Sequence, residues 1–308
     1  GIEAPFFISQ NDGTLMSAEH MRRYPVLTFA AGPTNSLRGA AFLTGHRNAI
    51  VADIGGPTTD IGALVEGFPR QSSVHVDIGG VRTNFRMPDI LSIGLGGGSR
   101  VRGSAGNVTV GPDSVGFDLT TKALVFGGRK LTASDIAVAA GQIVIGNPAH
   151  VEHLSADMVA TARDVIHRLL EEGIDRMKTT AAALPLILVG GGSILVGRDL
   201  EGVSETIVPE HAGVANAVGA AIGQVSGEVD RVFSFSTIGR ESALESAAED
   251  ARAMAAAAGA AADSIEIVEL EDIPLQYLPE GATRVVCRAV GDLAALREPV
   301  HVEEPAHG

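Results

Sequence analysis

Apolar residues along the chain form short runs, each closed by glycine, proline, asparagine or aspartate, so strands and helices alternate with tight turns. Residues 5–8 and 26–30 read as strands, closed by Asn11-Asp12-Gly13 and Gly32-Pro33-Thr34-Asn35. Leu37, Ala40, Ala41 and Leu43 then give a short helical face that stops at Gly45. Three strands are predicted next, at 49–54, 58–65 and 73–78, joined by Gly55-Gly56-Pro57 and Glu66-Gly67. Connections this short make neighbours antiparallel.

Residues 79–150, rich in Gly and Asp, are expected to form an irregular insertion around Gly94-Leu95-Gly96-Gly97-Gly98-Ser99. Ser155 then caps a long helix whose apolar positions, Met158, Val159, Ala162, Val165, Ile166, Leu169, Leu170, Ile174 and Met177, recur every three or four residues. The continuous apolar run 186–189, ending in Gly190-Gly191-Gly192-Ser193, suits a buried parallel strand feeding a helix. A strand at 206–208 follows, then a helix at 212–225 with residues small enough to pack very close to a neighbour. Three antiparallel strands, an insertion, then helix, strand, helix, strand, helix is the order of a ribonuclease-H-like α/β lobe, placed at residues 1–230. Residues 231–308 form a small α+β appendix: an alanine-rich helix at 242–262, strands at 264–270 and 283–290, and a frayed polar end.

Composition narrows the function. A formal charge of −14 opposes a phosphate-backbone partner, which excludes a nucleic-acid binder. Cys287 is the only cysteine, so no intrachain disulfide or cysteine-rich metal cluster forms, which fits a reducing, cytoplasmic setting. No apolar run approaches the roughly 20 residues that cross a bilayer, so no membrane partner is expected.

Chemistry concentrates at three glycine motifs. In Asp53-Ile54-Gly55-Gly56-Pro57-Thr58-Thr59-Asp60, the glycines let the backbone approach a polyphosphate and the Thr58 and Thr59 hydroxyls donate to it. Asp53 and Asp60 flank the turn and can hold a divalent ion or its waters. An ordinary Gly-Gly-Pro hairpin would share the glycines; paired carboxylates at its two ends argue for more. Gly190, Gly191, Gly192 and Ser193 sit beyond a parallel strand, where ligands of such sheets bind, and read as an adenosine-contacting turn, although the same device also packs strand on helix. Gly96, Gly97, Gly98 and Ser99 are read either as a cleft loop or as a flexible connection. The histidines, including His150 and His153 beside Pro148, lack metal-ligand spacing on a helix.

The turn at residues 53–60 resembles the second phosphate motif of the actin, sugar-kinase and heat-shock ATPase superfamily, and residues 188–193 resemble its adenosine motif. More closely, Ser9-Gln10-Asn11-Asp12-Gly13, Ala31-Gly32-Pro33, residues 53–60, 94–99 and 208–217, and the segment 273–279 resemble the shorter members of the hydantoinase/oxoprolinase family. Pro57 departs from the pattern and removes one N–H from the phosphate cradle. The resemblance implies an actin-like ATPase lobe, with the amino-terminal lobe that carries the first phosphate motif lying outside this chain. It also implies ATP with Mg²⁺ or Mn²⁺, a small cyclic amide as substrate (hydantoin, oxoproline or lactam) and a second hydantoinase-type subunit. Asp53 and Asp60 would be the catalytic and metal residues. The alternatives are a nucleotide-gated reactivase or chaperone-like ATPase, an ATP-dependent carboxylase subunit, and a small-molecule kinase.

Overall fold

The structure, a computed structural model, describes residues 6–72, 77–78, 81–82, 87–104, 106–275 and 282–294. Contacts group the chain into two compact units, residues 1–29 with 222–308, and residues 30–221. The expected single lobe at 1–230 is therefore divided differently, because residues 14–15 pair with a strand at 224–234.

In the first unit, strand β1 (Phe7–Ser9) turns back through Asn11-Asp12-Gly13 onto β2 (Thr14–Ser17), with Phe7 opposite Ser17. The Asp12 carboxylate accepts from the Thr14 N–H and hydroxyl at 2.9 and 2.6 Å, which closes that turn. Helix α1 (Ala18–Arg23) follows, capped by Ser17. The strand expected at 26–30 is absent: Pro25–Thr28 form a 3-10 turn instead, because Pro25 at its start presets a helical φ.

The second unit begins with α2 (Ala31–Thr44), which ends where predicted, at Gly45 with φ 72°. Strands β3 (Ala49–Ile54) and β4 (Thr59–Val65) form the predicted hairpin. Beyond them β5 (Phe68–Pro69) also pairs with β4. The third strand expected at 73–78 falls mostly outside the described residues; its end, β6 (Asp77–Ile78), pairs only with β7 (Val81–Arg82). The sheet position it was to fill is taken by β8 (Ile90–Ile93), antiparallel to β4.

The insertion is not irregular. Strands β9 (Ser99–Ser104) and β10 (Asn107–Ser114) form a hairpin, followed by α3 (Leu119–Lys122) and α4 (Ala133–Ala139). Val101, Val108 and Val110 from that hairpin share a core with Ile136 of α4. The buried Asp135 carboxylate anchors the region, accepting from the Val125 and Thr132 N–H groups at 2.8 and 2.7 Å and from the Thr132 hydroxyl at 2.8 Å.

Helix α5 (Ala156–Met177) matches the predicted periodicity, with the Ser155 hydroxyl accepting from the Met158 N–H at 3.3 Å. It buries Ala162, Ile166, Leu170 and Ile174 against Ile50, Ile54 and Ile61 of the sheet. Strand β11 (Leu184–Val189) runs parallel to β3, and β12 (Val203–Ile207) runs parallel to β11. Between them the chain makes a 3-10 turn at Gly191–Leu195 rather than the expected helix. The main sheet has the order β12-β11-β3-β4-β5, with β8 also on β4.

Helix α6 (Ala215–Ala221) lies on α2 as closely as its small residues suggest: a Cβ at Gly39 would stand 1.9 Å from the Ala215 carbonyl oxygen, and one at Gly219 1.8 Å from that of Asn35.

Strand β13 (Gln224–Ser234) returns to the first unit, followed by α7 (Phe235–Ile238), α8 (Arg240–Ala257), β14 (Glu266–Pro274) and β15 (Ala282–Gly291). The sheet order is β1-β2-β13-β15-β14. β13 crosses the expected boundary at 230 while pairing along its length with β15, and its start pairs with β2. Those ladders join β2, β13 and β15 in one sheet. The alanine stripe Ala243, Ala247, Ala251 and Ala255 lets α8 lie close on this sheet. The frayed end expected at 298–308 lies outside the described residues.

His167 is buried on α5, where its Nε2 accepts from the Gly197 N–H at 3.4 Å. Burial, aided by the Arg198 and Arg163 charges, holds its pKa below the ordinary histidine value. A depressed folded pKa means that the neutral ring contributes stability above the unfolded value of about 6.5, and that this is lost as pH falls through the folded pKa. The denaturation midpoint is therefore expected to fall on acidification below about pH 6.5, and His167→Gln to flatten that fall. Parallel pH profiles for the two proteins would remove His167 as the cause.

Candidate functional site

The site is built where β3 ends and β4 begins. Asp53 is paired with Asp60 across the hairpin, so both carboxylates leave the same face of the sheet. That face also carries Val51, Leu64 and Val189, which pack with Leu37 of α2, whereas Ile54 and Ile61 point to the α5 core.

The turn itself is closed by the Gly55 N–H donating to the Thr58 carbonyl at 2.8 Å. Gly56, Pro57 and Thr58 are exposed, and a Cβ at Gly56 would meet nothing within 4 Å. Thr59 departs from its expected role. It is 0% exposed and its hydroxyl donates to the Leu95 carbonyl at 2.7 Å, so that donor is used inside the protein. The alternation of the strand places Thr59 with Ile61 on the buried side and Thr58 at the exposed tip.

The loop Gly96–Ser99 lies behind this turn and is buried, so it lines no cleft. The Gly97 and Gly98 N–H groups donate to the Gly55 and Gly56 carbonyls at 3.0 and 2.8 Å. A Cβ at Gly96 would come within 2.4 Å of the Gly56 carbonyl oxygen. The Ser99 hydroxyl accepts from the Gly96 N–H at 2.9 Å, and the Ser134 hydroxyl donates to the Gly97 carbonyl at 2.9 Å. These contacts replace both earlier readings of the motif: the loop buttresses the hairpin from within.

The second glycine motif meets the first. Val189 pairs with Asp53, so the turn after β11 emerges beside the turn after β3. Gly190 has φ 82° and ψ 161°, and a Cβ there would lie 2.4 Å from Asp53 Oδ1. A Cβ at Gly192 would lie 2.5 Å from Ile54 Cγ2. Gly190 and Gly192 are thus packing glycines that bring the two turns together, and Gly191 is exposed with open space above it. Ser193 is half-buried in the middle of the 3-10 turn.

Burial pushes the Asp60 carboxyl above the ordinary aspartate range, and the neighbouring Asp53 charge raises it further, against the lowering effect of a hydrogen bond from Ser92. Ser92, which spacing alone did not single out, is the β8 partner of Asp60, and its hydroxyl donates to Asp60 Oδ1. Two like charges on adjacent strands form a donor set suited to a divalent cation. Among the described residues no group of three or more His, Cys, Asp or Glu side chains could hold a metal, so phosphate oxygens and water would complete any coordination. Of the histidines, His150 bonds the Leu124 carbonyl at 3.0 Å, and His75 lies outside the described residues. No helix among the described residues is long and apolar enough to cross a membrane.

Comparison with known proteins agrees with the resemblance noted above. Residues 1–147 match the family model described as hydantoinase/oxoprolinase. The gamma subunit of acetophenone carboxylase from Aromatoleum aromaticum is 30% identical over 148 residues, which are 46% of this chain and 20% of that protein. Among solved structures, the ATP-dependent caprolactamase of Pseudomonas jessenii is similar with a TM-score of 0.68 and 18% identity, covering 94% of this chain and 53% of that one. A nucleotide-free acetone carboxylase is similar with a TM-score of 0.62 and 17% identity, covering 95% of this chain and 53% of that one. The chain thus shares a mixed α/β fold with both, and it spans about half the length of each solved chain and a fifth of the curated relative.

Proposed function

We propose, from the hydantoinase/oxoprolinase match of residues 1–147, that this chain supplies one half of an ATP cleft in an enzyme that opens a cyclic amide or imide of hydantoin, oxoproline or lactam type. The observation that carries the reading is the convergence of two glycine turns on the paired carboxylates Asp53 and Asp60 at one end of the sheet. The order β12-β11-β3-β4, with β8 antiparallel on β4 and β11 and β12 parallel to β3, supports reading this unit as a ribonuclease-H-like lobe of actin-like ATPase type.

In this reading Gly55, Gly56 and the Thr58 hydroxyl bind the phosphates, Thr59 supports the turn from inside, and the exposed Gly191 with Ser193 contacts adenosine. Asp53 and Asp60 hold Mg²⁺ or Mn²⁺ or its waters, and the ion supplies charge neutralisation at the transferring phosphoryl group. An amide carbonyl is a poor electrophile. Transfer of the γ-phosphoryl to its oxygen activates the carbon: water adds there, the ring C–N bond breaks with the nitrogen leaving as a protonated amine to give an acyl phosphate, and a second water releases phosphate to leave the ring-opened carboxylate. An amino-terminal lobe and a second subunit would supply the rest of the cleft and the hydrolytic step.

A second reading, an ATP-dependent carboxylase subunit, is favoured by the 30% identity to the acetophenone carboxylase gamma subunit. Turnover of ATP by the chain assembled with its amino-terminal lobe separates the two. Stimulation by a lactam or hydantoin supports the amidase. Stimulation only by a ketone with bicarbonate supports the carboxylase and overturns the amidase, and indifference to both favours a gated ATPase.

A further inference from the structure

Asp53, Asp60 and Ser92 are successive register partners on β3, β4 and β8, so their side chains form a row across one face of the sheet at its ligand end. The Ser92 hydroxyl donates to Asp60 Oδ1, which leaves Oδ2 as the oxygen without this bond. Ser92 is exposed, so the contact contributes little to burial, while Asp60 is half-buried beside a like charge. An exposed hydroxyl placed on one oxygen of a half-buried carboxylate fixes the orientation of that carboxylate more than it stabilises the fold.

Resting on the nucleotide-site reading above, we infer that Ser92 is a positioning residue: it holds the Asp60 carboxylate in the rotamer that offers its second oxygen to the divalent ion or to an ion-bound water. Ser92 touches neither phosphate nor metal in this account. Its effect is confined to metal-dependent binding, which separates it from residues of the phosphate turn.

The test uses the chain assembled with its amino-terminal lobe and follows Mn²⁺ by electron paramagnetic resonance in the presence of ATP, alongside ATP binding in EDTA. Ser92→Ala is expected to raise the Mn²⁺ concentration at half-saturation about 3- to 10-fold, the net worth of one ordinary hydrogen bond. Ser92→Thr, which keeps the hydroxyl, restores the parent value, and ATP binding in EDTA is the same in all three proteins. An unchanged Mn²⁺ requirement in Ser92→Ala, with Asp53→Ala still weakening it, overturns the role of Ser92 and leaves the nucleotide site standing. Equal losses with and without metal also overturn it, in favour of a structural role. A parent chain whose Mn²⁺ binding in the presence of ATP is indifferent to Asp53→Ala removes the site itself and this inference with it.

Discussion

Asp53→Ala is expected to weaken binding of Mg²⁺·ATP by about 10- to 100-fold, the size of one lost interaction between a carboxylate and a bound cation or its water. Asp53 is half-buried at the end of β3, on the same face as Asp60, with Gly190 packed against its Oδ1. Its removal takes away half of the like-charge pair. The Asp60 carboxyl, raised in part by that neighbour, should then titrate closer to the ordinary aspartate range. A raised folded pKa destabilises the charged form, so at neutral pH the variant is expected to melt no lower than the parent. The expected outcome is therefore loss of binding without loss of fold, read by nucleotide titration beside thermal denaturation. Retained Mg²⁺·ATP affinity would show that the carboxylate pair is not the cation site.

Gly190→Ala is expected to be the most damaging single methyl group in the second unit's site. At φ 82° and ψ 161° the backbone occupies a region open essentially only to glycine. The added carbon would also stand 2.4 Å from Asp53 Oδ1 and 2.5 Å from the Ile54 carbonyl oxygen. Strain and overlap together should cost on the order of 3 kcal/mol of stability. Because the overlap falls on Asp53, nucleotide affinity should drop as well. Gly191→Ala is the control: its Cβ enters open space, so stability should change by less than about 0.5 kcal/mol, and any effect should appear in nucleotide binding. Equal melting of Gly190→Ala and the parent protein would mean that the two turns are not held as close as the structure has them.

The elements with long, uninterrupted patterns were legible in the sequence. The nine apolar positions of α5, the Ala49–Ile54 strand and the apolar end of β11 all lie where their periodicities place them, because tertiary context reinforces the local preference. Residues 26–30 misled because Pro25 starts a 3-10 turn over Pro25–Thr28, so the apolar run does not extend as a strand. The β9–β10 hairpin was hidden by glycine and aspartate, although Val108 and Val110 carry the alternation of a strand with one buried face.

At the site, sequence located the two glycine turns and their flanking carboxylates, but it could not sort the glycines. Whether a glycine faces a ligand or a neighbouring backbone depends on strands far away in the chain: Gly56 and Gly191 face open space, while Gly96, Gly190 and Gly192 are pressed against other turns. Thr59 was sortable, since the period of two that buries Ile61 buries Thr59 also. Ser92 was not, because its role exists only through the pairing of β4 with β8, two strands separated by a long excursion of chain.

A structure of this chain assembled with its amino-terminal lobe, Mg²⁺ and a non-hydrolysable ATP analogue shows most directly where the nucleotide lies. The terminal phosphates are expected over the Gly55–Thr58 turn, at its exposed Gly56, Pro57 and Thr58, with the ion beside Asp53 and the adenosine against Gly191. A nucleotide bound elsewhere, with that turn and its carboxylate pair untouched, would contradict that placement.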